Sequence, residues 1–495
     1  MAVTEQPSTG RQAVWNYLVF ALSKSSTLLM TVVVARILDP TEFGLFALAL
    51  LVVNLFDYVK DLGVGSAMVQ SRREWSLLAP TGLTLSVLFG LLASAVLAAT
   101  ADLAAGALKQ PELVGMIRIL AIGLAISALS TVPAAWLRRS MDFRARLLPE
   151  FTGALIKTGL TIGLALSGYG VWSLVYGQLA ATAVMTPLYW LVSRRTPRIG
   201  LDREVGGQLL RFGIPVTSVT LLAYAIYNVD YLAVGTRMGT DELGLYTLAY
   251  RIPEMVVLNL CIVVSDVLFS ALSGLQDDAD GLGRHYLQAL SVVIGLTAPI
   301  GVGMAVAARP LVATLYGDQY AGSAPILAVL ALYTVVYSAS FHAGDVFKAI
   351  GRPGVLTAIS AVKLILLIGP IWWAAGHSPT MVAGALLATE AIHFVIRMTI
   401  LRRVMAIRWG ALGRALVGPM LAAVVMGLGV FALTRATAGL LAPLELALLA
   451  VVGVVLYVAL LRFTAPHLFA AGVGLVRRRL WPQAATAPAT PKGVP

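Results

Sequence analysis

The segment EFGLFALAL at residues 42–50 reappears as ELGLYTLAY at residues 242–250. The two align without a gap at an offset of 200 residues, and each opens the second apolar run of a six-run series. Six is even, so both series enter a membrane in the same orientation, related by an axis along the membrane normal. The preceding LDPT places Asp39, Pro40 and Thr41 in a tight turn followed by residues that satisfy the free N–H groups of a helix start. The first two runs should therefore form a rigid antiparallel hairpin.

Around this repeat the chain is apolar throughout. Of 495 residues, 59% are hydrophobic and 12% charged, about half the charged share of a soluble domain. Runs of roughly 20 apolar residues recur, each long enough to cross a hydrocarbon core as a helix. The expectation is an all-α polytopic membrane protein with about fourteen transmembrane helices. Residues 1–200 form an N-terminal six-helix lobe and 201–405 a C-terminal one. Residues 406–465 add transmembrane helices 13 and 14, and 466–495 form a basic cytoplasmic tail. The polar start MAVTEQPSTGRQ precedes an apolar run that is too long for a removable signal and lacks a small-residue cleavage site, so the first helix is expected to stay. The single cysteine, Cys261, excludes an intrachain disulfide and reads as a small core residue.

The net charge of +12 is explained by topology. Of 36 Lys and Arg, 24 fall on the termini and even-numbered connections, such as SRRE (71–74), LRRSMDFRAR (137–146) and SRRTPR (193–198), against 6 on the opposite side. Cytoplasmic loops carry the basic excess, so both termini should be cytoplasmic, in a multi-pass protein of the cell membrane. A nucleic-acid partner is not needed to account for the charge.

Thirteen ionisable residues lie at membrane depth: Lys24, Lys60, Lys157, Arg251, Lys363, Arg397, Asp57, Asp61, Asp230, Glu254, Asp266, Asp345 and Glu390. Each costs on the order of 3 kcal/mol there, so such groups face a protein interior or a wet cavity. In LFDYVKDLGVG (55–65), the residues Asn54, Asp57, Tyr58, Asp61 and Gly65 recur at helical spacing and should share one inward face, with Lys60 beside it and able to pair with Asp57. That cluster either fastens the first two spans or touches a substrate. Glu390, His393 and Arg397 share another face, where His393 is a hydrogen-bonded packing residue or a proton relay. Arg251 and Glu254, one turn apart, can neutralise each other. By half, the first six spans carry a net +1 and the next six −2, which steers an anionic head group to the first lobe and a cation to the second. The acids Asp230, Glu254, Asp345 and Glu390, with His393, are the ion-coupling candidates. No phosphate-binding glycine loop, HExxH or credible GxSxG set is present, so neither catalytic residues, a metal nor a cofactor is expected.

The stretches ARILDPTEFGLFALA (35–49), DLGVGSAMVQ (61–70), LRRSMDFRAR (137–146), GYGVWSLVYGQ (168–178), LGLYTLAYRIPE (243–254) and AIGRPG (349–354) resemble those of Wzx-type oligosaccharide flippases. These are the polysaccharide transport family of the multidrug/oligosaccharidyl-lipid/polysaccharide exporter superfamily. The resemblance implies a two-lobed, MATE-like V that moves undecaprenyl-diphosphate-linked repeat units from the cytoplasmic to the outer leaflet by alternating access. It implies no enzyme activity. Its partners would be lipid-linked oligosaccharide and membrane lipids, with a polysaccharide polymerase and glycosyltransferases as candidates, and a monomer is the simplest assembly. Lys24, Lys60 and Lys157 become candidates for the diphosphate, oriented by Asp57 and Asp61, with Arg251 as a further substrate contact. The competing readings are a cation-coupled multidrug exporter, a lipid II flippase, and an integral-membrane glycosyltransferase or polymerase.

Overall fold

The computed structural model describes residues 25–274, 278–405, 407–437 and 439–480. Lys24 lies outside the described residues. Every regular element among them is helical. In order these are α1 (Ser25–Ala35), α2 (Pro40–Val59), α3 (Val64–Gln70), α4 (Trp75–Ala99), α5 (Ala101–Ala107), α6 (Leu113–Ala128), α7 (Thr131–Arg139), α8 (Phe143–Leu166), α9 (Trp172–Ser193), α10 (Arg203–Arg237) and α11 (Thr240–Pro253). A π-turn, Glu254–Leu258, leads into α12 (Asn259–Ser273), α13 (Ala279–Val306) and α14 (Ala308–Leu315). After a short turn at Asp318–Tyr320 come α15 (Ser323–Phe341), α16 (Ala343–Ala349), α17 (Pro353–Ala374), α18 (Pro379–Val404), α19 (Trp409–Thr437), α20 (Ala442–Thr464) and α21 (Pro466–Leu480).

Among the described residues, ten helices are long and apolar enough to cross a membrane, or eleven with α6 and α7, which meet at a bend of 47°. The helices α8 and α9 stand where a fifth and a sixth span are expected but are more polar. The first of them carries Arg144, Arg146, Glu150 and Lys157 along its length.

The chain divides into two compact units. The first comprises the described residues through Met255 with Val312–Leu330 and Pro353–His393. Here the repeat shows its physical purpose. A Cβ on Gly44 would lie 1.8 Å from the carbonyl oxygen of Thr240, and one on Gly244 would lie 1.8 Å from that of Pro40. Gly44 and Gly244 are equivalent in the repeat, as are Pro40 and Thr240, so the contact is reciprocal, as a two-fold relation requires. In lipid, helices gain little from hydrophobicity and associate through close backbone packing, which only small residues allow.

The predicted helix start is also there. Asp39 accepts from the Glu42 amide while the Glu42 carboxylate accepts from the Asp39 amide, a complete capping box ahead of Pro40. The other Glu42 oxygen accepts from Val171 N–H at 2.9 Å, tying α2 to the GYGV turn before α9. Tyr320 donates to the Leu38 carbonyl at 2.8 Å. Burial pushes its phenol far above the usual range, so it remains a donor.

The second unit comprises the described residues of Val256–Leu311, Ala331–Arg352 and Phe394 onward. Its centre is α13 packed on α19, which packs on α20. Tyr457 donates to the Gly295 carbonyl at 2.8 Å. Cys261 is fully buried against Val257 and Val293, the core role expected of it. An apolar cavity of about 310 Å³ opens between Pro299, Met304, Met426, Leu449 and Tyr457.

Candidate functional site

In the first unit, α2, α6 and α9 enclose a cavity of about 130 Å³. Most of its wall is aliphatic, but Asn54, Asp57, Ser127, Gln178 and Thr182 present polar groups to it. Lys60 donates to Asp57 at 2.7 Å and to Ser127 at 2.8 Å. Lys157 donates to Gln178 at 2.7 Å. Two lysines from different helices are thus held at the cavity through residues that line it. Asp57 remains about half exposed (46%), so the Lys60 pair is screened and contributes roughly 1 kcal/mol at most. Such a pair can release its ammonium to a ligand oxygen at little cost.

The inward face expected from Asn54 to Gly65 does not run on. The helix breaks after Val59, with Leu62 at φ 46° and Gly63 at φ 75°. Asp61 turns to the backbone, accepting from Gly63 N–H and Gly65 N–H, each at 3.0 Å. Gly63 is required here twice, by its conformation and by contact, since a Cβ would lie 2.4 Å from the Gly213 carbonyl oxygen on α10. Asp61 therefore braces the turn that leads into α3 and is not among the residues that line the cavity. An Asp61→Ala substitution should cost about 1 kcal/mol of stability, the usual worth of such a cap, measurable by thermal unfolding in detergent. A transport defect with no stability loss would put Asp61 back in the site.

The other candidates fall into three separate places. Asp230 accepts from Tyr246 at 2.7 Å, with Tyr231 packed edge-on against the Tyr246 ring at 5.5 Å, and Arg251 and Glu254 follow one turn apart at the end of α11. Lys363 and Glu390 meet at 2.5 Å with His393 Nδ1 at 3.7 Å from the same carboxylate, and all three are buried. In the second unit, Asp345 accepts from Ser265 at 2.5 Å, with His342 at 3.3 Å and Lys348 at 3.4 Å, while Arg397 donates to the Ser340 carbonyl at 2.7 Å. Ser127, Gln178 and His342 carry no charge pattern that would single them out in sequence; only the fold assigns them partners. Among the described residues no group of His, Cys, Asp and Glu is arranged to hold a metal ion.

Residues 33–325 match the family described as polysaccharide biosynthesis protein. The chain is 25% identical over 374 residues to the lipopolysaccharide biosynthesis protein WzxC of Escherichia coli (strain K12), covering 75% of each. It is 26% identical over 350 residues to the succinoglycan biosynthesis transport protein ExoT of Rhizobium meliloti (strain 1021), covering 69% of each. Among solved structures, the lipid II flippase MurJ in an inward closed conformation superposes with a TM-score of 0.76 over 92% of this chain and 99% of that one, at 15% identity.

Proposed function

Because the chain belongs to the polysaccharide biosynthesis protein family, we propose that it is a flippase that moves undecaprenyl-diphosphate-linked oligosaccharide repeat units from the cytoplasmic to the outer leaflet for surface polysaccharide synthesis. The protein crosses the membrane many times. The basic connections support a cytoplasmic position for both termini.

The observation that carries the reading is the cavity at which Lys60 is held by Asp57 and Ser127 and Lys157 by Gln178. Ammonium groups beside amide and hydroxyl donors are what a diphosphate requires. At about 130 Å³ the cavity is well below the roughly 300–1,000 Å³ that encloses a drug-sized ligand. It therefore suits the charged link, while the glycan needs a wider state and the lipid tail stays in the bilayer. The wider state arises by alternating access, with residues 1–200 and 201–405 as the moving lobes and the α2–α11 contact as the element that parts. Lys24 is kept as a third cation and Arg251 as a further contact. The work is transport, without catalysis by this chain.

Coupling to an ion is assigned to Asp230, Glu254, Asp345, Glu390 and His393. Each of Asp230, Asp345 and Glu390 already accepts a hydrogen bond, so coupling would proceed by exchange of that partner for a proton or cation. The working unit is taken as a monomer, with the polymerase and glycosyltransferases acting before and after it.

A strain lacking this chain should accumulate the lipid-linked repeat unit in the cytoplasmic leaflet. Wild type should clear it, and Lys60→Ala or Lys157→Ala should each slow clearance by roughly tenfold or more, as expected when one charged hydrogen bond worth about 1.5–3 kcal/mol is lost. Full clearance by both variants at normal expression would refute the role of the lysines. Accumulation of lipid II instead would assign the competing substrate.

A further inference from the structure

Three basic connections of the first unit are joined into one structure. The segments 71–74, 138–146 and 193–204 carry ten arginines against four acids. Trp75 and Trp136 pack ring to ring at 5.0 Å. The Arg195 guanidinium lies over Trp136 at 4.7 Å and that of Arg139 over Trp75 at 5.8 Å. Arg139 also donates to the carbonyls of Arg73 at 2.6 Å and Met68 at 3.3 Å, and Arg73 pairs with Glu204 at 2.5 Å. Arg194 takes a left-handed φ of 49° as it leaves α9, a conformation that a residue with a Cβ adopts only at a cost. It turns the chain towards Trp136, and Arg72, Arg194, Arg195 and Arg198 remain exposed.

An orientation signal needs only charge in a loop. Here guanidinium groups are fixed on indole rings and carbonyls, and one backbone position is strained to place them. Trp is the residue of the headgroup level, and stacked Arg recognises phosphate by its planar fork.

We propose that this Trp75–Trp136–Arg195 platform, with Arg194 and Arg198, binds the phosphate of a membrane lipid at the headgroup level of the leaflet. The site is distinct from the Lys60–Lys157 cavity and does not depend on the flippase reading. The same chemistry is offered by an anionic phospholipid and by a prenyl diphosphate.

Purified protein in phosphatidylcholine nanodiscs should retain added phosphatidylglycerol, prenyl diphosphate or both, counted by native mass spectrometry, with at least tenfold preference over phosphatidylcholine. The arm that binds identifies the source. An Arg194→Ala/Arg195→Ala/Arg198→Ala variant should lose that preference, and Arg195→Lys should keep part of it. The prenyl diphosphate arm is read in a Lys60→Ala background, so that the α2–α6–α9 cavity does not add to the count. No preference in either arm, or a triple variant that binds like wild type, would overturn the proposal. The unfolding midpoint of each variant is compared with wild type, and should the triple variant fail to fold, the Arg195→Ala single substitution gives the same readout.

Discussion

Substituting Gly44 by leucine should shift the protein away from its closed α2–α11 arrangement and slow flipping by about tenfold or more. The reason is geometric. Even the Cβ of alanine would lie 1.8 Å from the Thr240 carbonyl oxygen, far inside van der Waals contact. The obstacle is backbone, which cannot swing aside as a side chain can. Overpacking of this kind costs about 1–3 kcal/mol, and a bias of that size changes a two-state population by roughly 5–150-fold. Gly244→Ala should do the same, because it meets the Pro40 carbonyl at the same distance. Since either change opens the same contact, the double variant should be little worse than each single one, a non-additivity expected of residues that share one interface. Spin labels on the starts of α2 and α11 should report a longer separation in all three variants. Unchanged separation and flipping would mean that the reciprocal contact is passive packing.

Removing Lys363 should destabilise the protein by about 3–5 kcal/mol, the usual cost of deleting one member of a buried ion pair. Glu390 is fully buried and Lys363 is 5% exposed, so water cannot take the place of the missing ammonium. Lys363→Ala removes the ammonium held 2.5 Å from the carboxylate, and Glu390→Ala removes that carboxylate from the ammonium. Replacing both by methionine removes the charges together and should recover most of the loss, because buried pairs exchanged for apolar residues of similar volume are often neutral. A double-mutant cycle on unfolding in detergent reads the coupling directly. Strict additivity would show that the two groups do not depend on each other.

Much of the architecture was readable because lipid leaves so few options. Long apolar runs must be helices, since backbone groups find no water in the hydrocarbon. The repeat was readable at Glu42, Gly44 and Gly244 because a capping box and a backbone contact tolerate few residue types. Helices α8 and α9 are less clear in hydropathy because part of their surface faces polar partners rather than lipid: Ser26 and Thr158 meet at 2.8 Å, and Lys157 reaches Gln178.

The site was only partly readable. Spacing placed Lys60 beside Asp57, a local i,i+3 pair that helix geometry dictates. It misplaced Asp61, because periodicity assumes an unbroken helix and the break at Leu62 and Gly63 rotates the chain. Lys60 with Ser127, 67 residues apart, and Lys363 with Glu390, 27 apart, depend on which helices pack together, and one sequence carries no signal for such partners.

The most direct test of the account is translocation by purified protein in liposomes that carry a fluorescent undecaprenyl-diphosphate-linked oligosaccharide in one leaflet. Wild type should transfer the label to the other leaflet at a rate well above protein-free liposomes, with Lys60→Ala and Lys157→Ala reduced by roughly tenfold or more, in line with the loss of a charged hydrogen bond. Transfer by wild type no faster than in protein-free liposomes would contradict it.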